Sequence, residues 1–501
     1  MIKCQLLSRC QLTRLEVKEI RDFSAVFSPE EYLKAVEKVS EKAADYLRSA
    51  SLGEIPVLDY EAPEEKLARW QEPIPNKGIG TARAIELLSE AMDQSNHFLH
   101  PRYIGHQVPP VLPFAALCDH AVSLLNNSAA IYEMAPMEPV VETILLDWIS
   151  KLLGLPQGSG GVFTNGGSIG NLTALLAARQ AKIPGNIWQD GYDGGGNPCA
   201  VLVSEQSHYC VKRAVQIMGM GEGAAVSVDT DEKYRMDLRD LERSYKKAES
   251  EGQQVIAVSA SACTTATGAY DPLEAIADFC EERDLWFHID GAHGVAAALS
   301  PNHRHLLAGA ERADSIVWDL HKMMLMPSLL TAVVFKRFRD NYLAFAQEAS
   351  YLFNSGSEEP WFDLANRTLE CTKQMNAVKA FLSLHAYGSD FFGDYVDRCF
   401  ELTNRFAEFL DKSGDFKLAA WPESNIVCFR YEPNGVAPSD LDRLQKAVRE
   451  ALLRSGRFYI VQTELRGKWF LRCTVINPLT SEDDLRQLME EVRAVAAGIL
   501  D

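Results

Sequence analysis

The 501-residue chain contains 69 acidic residues against 50 basic ones, which gives a formal net charge of −19 at neutral pH. A surface this negative disfavours nucleic acid and anionic membranes as partners. Its 47% apolar and 24% charged residues are typical of soluble globular proteins, and its length predicts more than one domain. The best candidate for a membrane span, 323–335, is too short to cross a bilayer and contains Pro327.

Eleven cysteines are scattered along the chain, without Cys-x-x-Cys spacing and without a cluster of cysteine and histidine. This usage argues against a disulfide scaffold and against a metal site. It favours a reducing compartment, so we expect a cytoplasmic protein. The first 15 residues carry Lys3, Arg9 and Arg14 and no acid, which is similar to a targeting peptide, but they lack an apolar core.

Residues 1–98 are predicted to form a helical segment without a strand-rich core. Apolar residues recur at helical spacing over 29–50, and 81–92 is predicted to be helical again. Residues 55–77 are richer in proline and glutamate and are predicted to be irregular. Because this segment has no core of its own, we expect it to pack on a second subunit.

Beyond residue 98 helices and strands alternate, which predicts a large α/β domain over 99–388 with a mostly parallel sheet. Residues 389–501 mix helices and strands and are predicted to form a small α+β domain. The predicted strands are 200–204, 255–260, 285–289, 329–335, 426–431, 458–462 and 469–475. The predicted helices are 140–153, 209–218, 238–247, 273–282, 376–387, 391–410, 439–454 and 481–498.

Two stretches of the α/β domain, Trp286–Gly294 and Ser315–Lys322, each begin as a short apolar run and end in polar residues. This pattern is typical of buried strands that open into a site. A short crossover helix within 302–310 would make the two strands parallel neighbours. We therefore expect their polar ends to meet at one edge of the sheet.

The polar ends of these strands carry Asp290, Ala292, His321 and Lys322. A lysine beside a buried carboxylate suggests pyridoxal phosphate chemistry, in which the amine holds the coenzyme aldehyde as a Schiff base. The carboxylate would keep the pyridine nitrogen protonated, and the small Ala292 would let the ring lie flat. From Asp290 and Lys322 alone, a salt bridge between strand ends is the alternative.

The sequences of the two strand ends are more specific than the pair of residues. His-Ile-Asp-Gly-Ala-His-Gly at 288–294 and Trp-Asp-Leu-His-Lys at 318–322 resemble the group II pyridoxal-phosphate-dependent amino-acid decarboxylases. These include glutamate, cysteine-sulfinate and aromatic-amino-acid decarboxylases. The resemblance runs from about residue 101 to the C-terminus. It implies the α/β fold of fold-type I transferases, pyridoxal 5'-phosphate as the coenzyme and a homodimer.

Glycines precede a predicted apolar helix in the stretch Thr164–Asn171. Glycine lets the backbone approach an anion and a helix start offers free N–H groups, so Gly167 and Ser168 are candidates for phosphate binding. A helix start without a ligand is the alternative. The stretch is not a Walker motif, and we do not expect a dinucleotide fingerprint because no clear strand runs into it. The resemblance implies that Gly167 and Ser168 hold the coenzyme phosphate.

His208 and Thr265 each follow another predicted strand. Read alone, they are a structural histidine and a residue of a Thr-rich loop. The resemblance, which includes Gly-Ala-Tyr-Asp-Pro at 268–272, implies that His208 stacks on the coenzyme ring opposite Ala292 and assists the chemistry. It also places Thr265 near the coenzyme, where we expect it to hydrogen-bond the ring or the carboxylate of Asp290.

Lys322 is the candidate nucleophile. We expect burial and nearby positive charge to lower the pKa of Lys322 and leave its amine free to attack. Asp319 departs from the family pattern, in which an asparagine often donates toward the phosphate. Because a carboxylate would repel a phosphate, we expect Asp319 to turn away or to pair with a base.

Ala-Ser-Tyr-Leu-Phe at 349–353 matches a mobile loop of the family. The resemblance implies that Tyr351 returns a proton to the substrate carbon after CO2 leaves. It also implies that the loop reaches into the site of the neighbouring subunit. A packed aromatic residue is the alternative for Tyr351.

Three residues are candidates for substrate binding. Trp-Phe-Leu-Arg at 469–472 resembles the glutamate-decarboxylase segment whose arginine binds the substrate carboxylate, and Arg472 stands at that position. A structural arginine is the alternative, because relatives with other substrates carry it too. His106 and Gln107 match a segment that lines the substrate pocket.

These residues predict a carboxy-lyase that converts an L-amino acid into its amine and CO2. The sequences at 268–272 and 349–353 favour an acidic substrate, meaning glutamate, aspartate or cysteine sulfinate. Decarboxylation of 2,4-diaminobutyrate or of an aromatic amino acid is an alternative. Another fold-type I lyase, an aminotransferase and a non-catalytic homologue are further alternatives. A nicotinamide-dependent dehydrogenase is disfavoured because the dinucleotide fingerprint is missing.

Overall fold

The computed structural model describes residues 24–185, 187–192, 198–345 and 361–500. Two predictions fall outside these residues: the possible targeting segment at the N-terminus, and Tyr351 with its loop at 349–353. In the described part of the chain, no helix combines the length and the apolar character that crossing a bilayer requires.

The structure divides into two compact units, of which the smaller contains residues up to Ser49 together with Pro63–Ser95. Its helices are α1 (Pro29–Ser51), α2 (Pro63–Trp70) and α3 (Thr81–Asp93). The prediction that 55–77 is irregular is wrong over α2. The reason is local, since Pro63 suits the first turn of a helix and Glu64 and Glu65 interact favourably with the positive end of its dipole.

The larger unit, Ala50–Ala62 with Asn96–Asp501, contains a seven-stranded sheet with the strand order β1-β7-β6-β5-β4-β2-β3. Only β7 runs against its neighbours, so the predicted mostly parallel α/β sheet is confirmed. Six of the strands are almost wholly buried, because helices cover both faces and every side chain must be apolar or hydrogen-bonded. The strands are β1 (Gly160–Thr164), β2 (Cys199–Ser204), β3 (Ala225–Val228), β4 (Gln254–Ser261), β5 (Trp286–Asp290), β6 (Ser315–Asp319) and β7 (Thr331–Phe335).

Seven helices of the larger unit precede or separate these strands in the described chain. They are α4 (Pro113–Leu125), α5 (Met137–Leu152), α6 (Gly167–Lys182), α7 (Ile187–Asp190), α8 (Tyr209–Ile217), α9 (Leu238–Ser250) and α10 (Leu273–Glu282). The predicted parallel pairing of β5 with β6 is confirmed. The predicted crossover helix at 302–310 is wrong, because the connection consists of short 3₁₀ turns. One turn ends before Gly309, which has φ +92° and packs its backbone against Glu274.

One strand contradicts a step of the sequence reasoning. β1 runs directly into the glycines before α6, so the statement that no strand enters this stretch is wrong. Gly161 hides the strand in the sequence, and a Cβ there would lie 1.8 Å from the carbonyl oxygen of Val333. β1 pairs antiparallel with β7 at the edge of the sheet, unlike the parallel first strand of a dinucleotide-binding unit.

The C-terminal part of the larger unit contains a four-stranded antiparallel sheet with the order β10-β11-β9-β8. Helix α11 (Ala377–Ser413) leads into it and is interrupted at Gly388, where φ is +77°. The remaining elements are β8 (Phe416–Leu418), β9 (Ile426–Tyr431), α12 (Leu441–Ser455), β10 (Val461–Leu465), β11 (Lys468–Thr474) and α13 (Glu482–Leu500). The domain limits at 98/99 and 388/389 stay predictions.

Candidate functional site

The carboxyl ends of β4, β5 and β6 and the start of α6 surround a cavity of about 280 Å³. Ligands of parallel α/β sheets bind at this edge because the connecting loops leave a crevice there. Most of the predicted site residues line this one cavity: Gln107, Gly167, Ser168, His208, Thr265, Asp290, Ala292, His321 and Lys322. Two predicted residues, His106 and Arg472, are not part of its wall.

Lys322 and Asp319 form an ion pair at the end of β6. A turn closed by the hydrogen bond from Lys322 N to Asp319 O brings Nζ to 3.0 Å from Asp319 Oδ2. Asp319 also accepts a hydrogen bond from Thr331 Oγ1 at 2.5 Å, and His321 Nε2 lies 3.7 Å from it. The expectation that Asp319 pairs with a base is therefore met by Lys322.

The electrostatics of this pair correct one prediction. Burial alone would lower the pKa of Lys322, but the carboxylates of Asp319 and Asp290 outweigh burial and raise it. The prediction of a lowered pKa for Lys322 is wrong, because it considered burial without the carboxylate three residues earlier. Burial would conversely raise the pKa of Asp319, but the ammonium of Lys322 holds it below its usual range, with help from the nearby His321. The side chain of Lys322 is 22% exposed, so its amine faces the cavity.

Asp290 ends β5 as a buried carboxylate that accepts two hydrogen bonds. Asn171 Nδ2 donates to Oδ2 at 3.1 Å, and the amide of Ala292 donates to Oδ1 at 3.3 Å. Burial raises the pKa of Asp290, and the ammonium of Lys322 opposes that rise. The expected hydrogen bond from Thr265 to Asp290 is not among these contacts. Thr265 lines the cavity, and its carbonyl oxygen accepts a hydrogen bond from the arginine of β11.

The start of α6 is built for close approach of an anion. Gly166 has φ +98° immediately before the helix, a conformation that favours glycine. A Cβ on Gly167 would lie 3.0 Å from Asp319 Oδ1, so a larger residue would crowd this wall. The hydroxyl of Ser168 is exposed in the cavity beside the free N–H groups of the first turn.

His208 and Ala292 lie on the wall of the same cavity. His208 caps α8, where its Nδ1 accepts a hydrogen bond from Cys210 N at 3.4 Å, and this contact orients the ring. Burial lowers the pKa of His208, and the carboxylate of Asp290 opposes that fall. The stacking of His208 and Ala292 on opposite faces of a ring stays a prediction.

The three substrate-binding candidates differ in position. Gln107 is buried on the cavity wall, and its Nε2 has no hydrogen-bond partner within the described residues. His106 is exposed and lies beside Tyr459, with the ring centres 5.9 Å apart. Arg472 is buried behind the wall.

The contacts of Arg472 favour its structural alternative. Its guanidinium donates to three backbone carbonyl oxygens: to Ala266 at 2.9 Å, to Thr265 at 2.7 Å and to Gly105 at 3.4 Å. A guanidinium has five N–H donors in a fixed fork, and these bonds engage each of its three nitrogens. Arg472 therefore fastens two loops of the cavity wall to β11 and is not directed into the cavity.

Sequence reasoning missed several residues of the wall, among them Asn171 and His293. Asn171 lies one helical turn after Gly167, and this i, i+4 spacing was the available signal for its position. His293 follows Ala292 and is buried, with Nε2 2.8 Å from Asn425 Oδ1. In the described chain the Nδ1 of His293 has no hydrogen-bond partner.

The residues of the cavity fit pyridoxal phosphate. The wall offers an amine, a buried carboxylate, an imidazole, a small side chain, and a glycine-started helix with a hydroxyl for the phosphate. These groups were predicted to meet, and they line one cavity.

Comparison with known proteins agrees with this fit. Residues 96–432 match the family model described as the pyridoxal-dependent decarboxylase conserved domain. The chain is 31% identical to cysteine sulfinic acid decarboxylase of Mus musculus over 468 residues, which is 88% of this chain and 94% of the relative. It is 28% identical to aromatic-L-amino-acid decarboxylase of Bacillus atrophaeus, over 91% of this chain and 92% of the relative.

A solved structure gives the same result. The crystal structure of mouse CSAD superposes with a TM-score of 0.86 at 28% sequence identity, and the match covers 94% of this chain and 99% of that one. With the family match extending over more than half of its length, the chain belongs to the pyridoxal-dependent decarboxylases and is a carboxy-lyase that uses pyridoxal phosphate.

Proposed function

We propose that the enzyme removes the α-carboxylate of an L-amino acid with an acidic side chain and forms the corresponding amine. The observation that carries the reaction is the convergence of Lys322, Asp290 and His208 on one cavity. Two observations support an acidic substrate. Gln107 presents a buried amide donor without a partner in the described chain, and a relative at 31% identity is named for cysteine sulfinic acid.

Bound pyridoxal phosphate supplies an aldehyde that links covalently to amines and a ring that accepts electrons. Lys322 is the amine that holds the coenzyme, and it must give up the proton that Asp319 stabilises before its nitrogen can attack. Asp290 holds a proton at the pyridine nitrogen and so maintains the ring as an electron acceptor. Ser168 and the first turn of α6 bind the phosphate.

The remaining residues orient the substrate and move its proton. His208 and Ala292 would hold the two faces of the coenzyme ring and so would orient it toward the substrate. The amide of Gln107 donates to an acceptor of the substrate. Tyr351 returns a proton to the carbon that has lost CO2, with His208 as a second proton donor.

The substrate is tested by offering the enzyme, loaded with coenzyme, a panel of L-amino acids and identifying the amine by mass spectrometry. We expect amine and CO2 from glutamate, aspartate or cysteine sulfinate. Amine from 2,4-diaminobutyrate or an aromatic amino acid, with none from the acids, would overturn the proposed substrate class. A product that forms only with a keto-acid acceptor would indicate an aminotransferase instead.

The role of Lys322 has its own test, which needs no substrate. Borohydride reduction of the loaded protein should fix the coenzyme to the peptide that contains Lys322. Peptide mapping locates the adduct, and Lys336, a half-buried lysine after β7, is an internal control. An adduct on a different peptide would remove Lys322 from the proposed mechanism.

We also propose a homodimer in which Tyr351 acts in the site of the partner subunit. An apolar surface on and after α4 supports it, since Leu117, Leu124 and Leu125 are 65%, 61% and 61% exposed and Met137 is 56% exposed. Exposed apolar groups of this kind mark interaction surfaces, and a second copy is the simplest partner.

Mixing two inactive variants tests the shared site. In a dimer of one Lys322→Ala and one Tyr351→Phe subunit, an exchanged tyrosine would complete one of the two sites. Random mixing should then restore amine formation to roughly a quarter of the wild-type rate. No recovery, although mass analysis shows mixed dimers, would place Tyr351 in the site of its own subunit.

We finally propose that the enzyme works in the cytoplasm. The support is chemical, because nine cysteines of the described chain are free thiols and eight of them are buried. Fractionation of cells that express the full chain tests this, and recovery of the enzyme in an oxidising compartment would contradict it.

A further inference from the structure

A chain of buried polar side chains leads from Asp290 into the middle of the sheet. Asn171 Nδ2 donates to Asp290 Oδ2 at 3.1 Å, and Asn171 Oδ1 lies 2.8 Å from His288 Nε2. His288 Nδ1 lies 2.9 Å from Ser315 Oγ, which accepts a hydrogen bond from Trp286 Nε1 at 2.8 Å. All five residues are at least nine-tenths buried, so water does not compete for these contacts.

The hydrogen bonds that join Trp286, Ser315 and His288 run in one direction, with each donor pointing toward α6. An indole N–H can only donate, so the hydroxyl oxygen of Ser315 accepts from Trp286 and keeps its own proton to donate. That proton can be donated to His288 Nδ1, and the contacts of Asn171 described below select this arrangement because they place the single ring proton on Nε2. The proton of the neutral imidazole therefore resides on Nε2 and points toward α6.

The inner half continues in the same direction. Both amide hydrogens of Asn171 are engaged, one by Asp290 Oδ2 and the other by Cys210 Sγ at 3.2 Å. The amide oxygen is left as the acceptor for His288 Nε2–H. Turning the amide over would set its oxygen against the carboxylate of Asp290, which ionised groups disfavour.

Strand geometry explains why these residues meet. His288 and Asp290 are two residues apart on β5, so their side chains share one face of the sheet. Asn171 is on α6, which packs against that face. Ser315 lies directly opposite His288 on β6, and Ser259 lies opposite it on the other side, on β4.

We infer that Asn171 and His288 are positioning residues that deliver a fixed N–H donor to Asp290 and keep its carboxylate ionised and aimed at the pyridine nitrogen of the coenzyme. The inference rests on the role proposed above for Asp290. Hydrogen bonds that point the same way polarise one another, so a change at Ser315 should reach Asp290 through two intervening side chains.

The charges that face Asp290 do not replace this donor. Lys322, Asp319 and His208 all interact with it from the cavity side, where substrate and coenzyme rearrange their contacts. The hydrogen-bonded series of Ser315, His288 and Asn171 approaches Asp290 from the protein interior. This series carries no charge, since burial lowers the pKa of His288 to about 4. It therefore supplies the part of the environment of Asp290 that stays constant during the reaction.

A matched pair of serine variants tests the inference. Ser315 and Ser259 are both fully buried beside His288, but only Ser315 bonds to the histidine, and Ser259 Oγ has no partner in the described chain. The probe is pyridoxal phosphate labelled with ¹⁵N in the ring, bound to each variant, whose ¹⁵N chemical shift reports ring protonation across pH. Ser315→Ala should weaken proton binding at the ring nitrogen by roughly threefold, and Ser259→Ala should match the wild type.

Two variants of His288 extend the test and include a rescue. His288→Leu removes the donor to Asn171, whereas His288→Gln keeps an N–H near the position of Nε2. His288→Leu should weaken proton binding at the ring nitrogen by about tenfold and lower kcat for amine formation to a similar degree. Its KM should change less than about twofold, because His288 does not line the cavity. His288→Gln should recover most of both effects.

Three outcomes separate the inference from the proposal on which it rests. If Ser315→Ala and His288→Leu bind the coenzyme and its ring nitrogen titrates as in the wild type, the hydrogen-bonded side chains are only structural. The inference is then overturned. If His288→Gln is as impaired as His288→Leu, packing rather than the donated proton is responsible, which also overturns it. If Asp290→Asn leaves the titration of the ring nitrogen unchanged, the proposed role of Asp290 itself fails.

Discussion

The two sides of the cavity differ in how many of their predicted residues reach it. On the coenzyme side, every candidate named from the strand ends and the start of α6 lines the wall, including Asp290, Lys322 and Ser168. Of the three described substrate candidates, Gln107 reaches the wall, while His106 is exposed and Arg472 is occupied by backbone carbonyls. The same chain and the same family resemblance gave both sets.

The difference comes from what fixes each residue in space. Asp290 and Asp319 are the last residues of buried strands, and their register against neighbouring strands leaves little freedom. His106 and Gln107 are in a loop whose position depends on distant segments, such as the backbone bond from Ile104 N to Tyr459 O. Motifs at strand ends are therefore reliable guides to a site, and loop matches need the fold before their side chains can be assigned.

Substitutions on the coenzyme side should reduce the rate of amine formation more than substitutions on the substrate side. Lys322→Arg keeps the positive charge beside Asp319 but presents a guanidinium that does not form the covalent link. We expect amine formation to fall by roughly 10³-fold or more, with the visible absorbance of the lysine-bound coenzyme lost. Lys182→Arg, on an exposed pair with Asp284, is the control. Residual activity within about tenfold of the wild type would contradict the expectation that catalysis depends more on the coenzyme side than on the substrate side.

The substrate side should instead show an effect on stability at Arg472. Arg472→Met leaves the carbonyl oxygens of Thr265 and Ala266 without their donor, so we expect a loss of about 2–4 kcal/mol in the free energy of unfolding. The KM for the amino acid should change less than about threefold. Urea unfolding and steady-state kinetics at a temperature where the variant is folded measure the two. A KM raised about a hundredfold with unchanged stability would return Arg472 to the substrate.

Sequence reasoning recovered most strands of the larger unit because buried strands such as β2 and β7 are largely apolar runs, but it did not predict β1, β3 or β8. It failed where a residue acts through a contact made elsewhere in the fold. The strand at Gly161 is invisible to propensity, since the glycine is there for the close approach of Val333. The raised pKa of Lys322 depends on the turn that folds Asp319 back onto it, and no sequence pattern reports that turn.

A smaller effect on the coenzyme side concerns how fast the protein captures its coenzyme. Capture needs the free amine of Lys322, and a raised pKa means that the amine becomes available only as pH rises. Asp319→Asn removes the carboxylate at 3.0 Å, so the pKa of Lys322 should fall and the increase in capture rate should move to lower pH. Near pH 7 we expect capture to be roughly tenfold faster.

Stopped-flow absorbance of the coenzyme mixed with coenzyme-stripped protein measures this rate as a function of pH. Asp284→Asn, which removes an exposed carboxylate 2.7 Å from Lys182, should leave the profile unchanged. A slower capture in Asp319→Asn across the whole pH range would show that the carboxylate assists the amine instead of restraining it.

The smallest expected effect lies on the substrate side and compares two adjacent residues. Gln107 Nε2 is a buried donor without a partner in the described chain, so a substrate acceptor can reach it without displacing a protein contact. Gln107→Ala should raise the KM for the preferred amino acid about fivefold, the value of one neutral hydrogen bond, with kcat changed less. His106→Ala should change neither, because His106 is exposed and does not line the wall. Equal effects at both positions would mean that the two residues of this loop act on the substrate together. The position of a side chain on the cavity wall would then not decide its role on the substrate side, whereas it does on the coenzyme side.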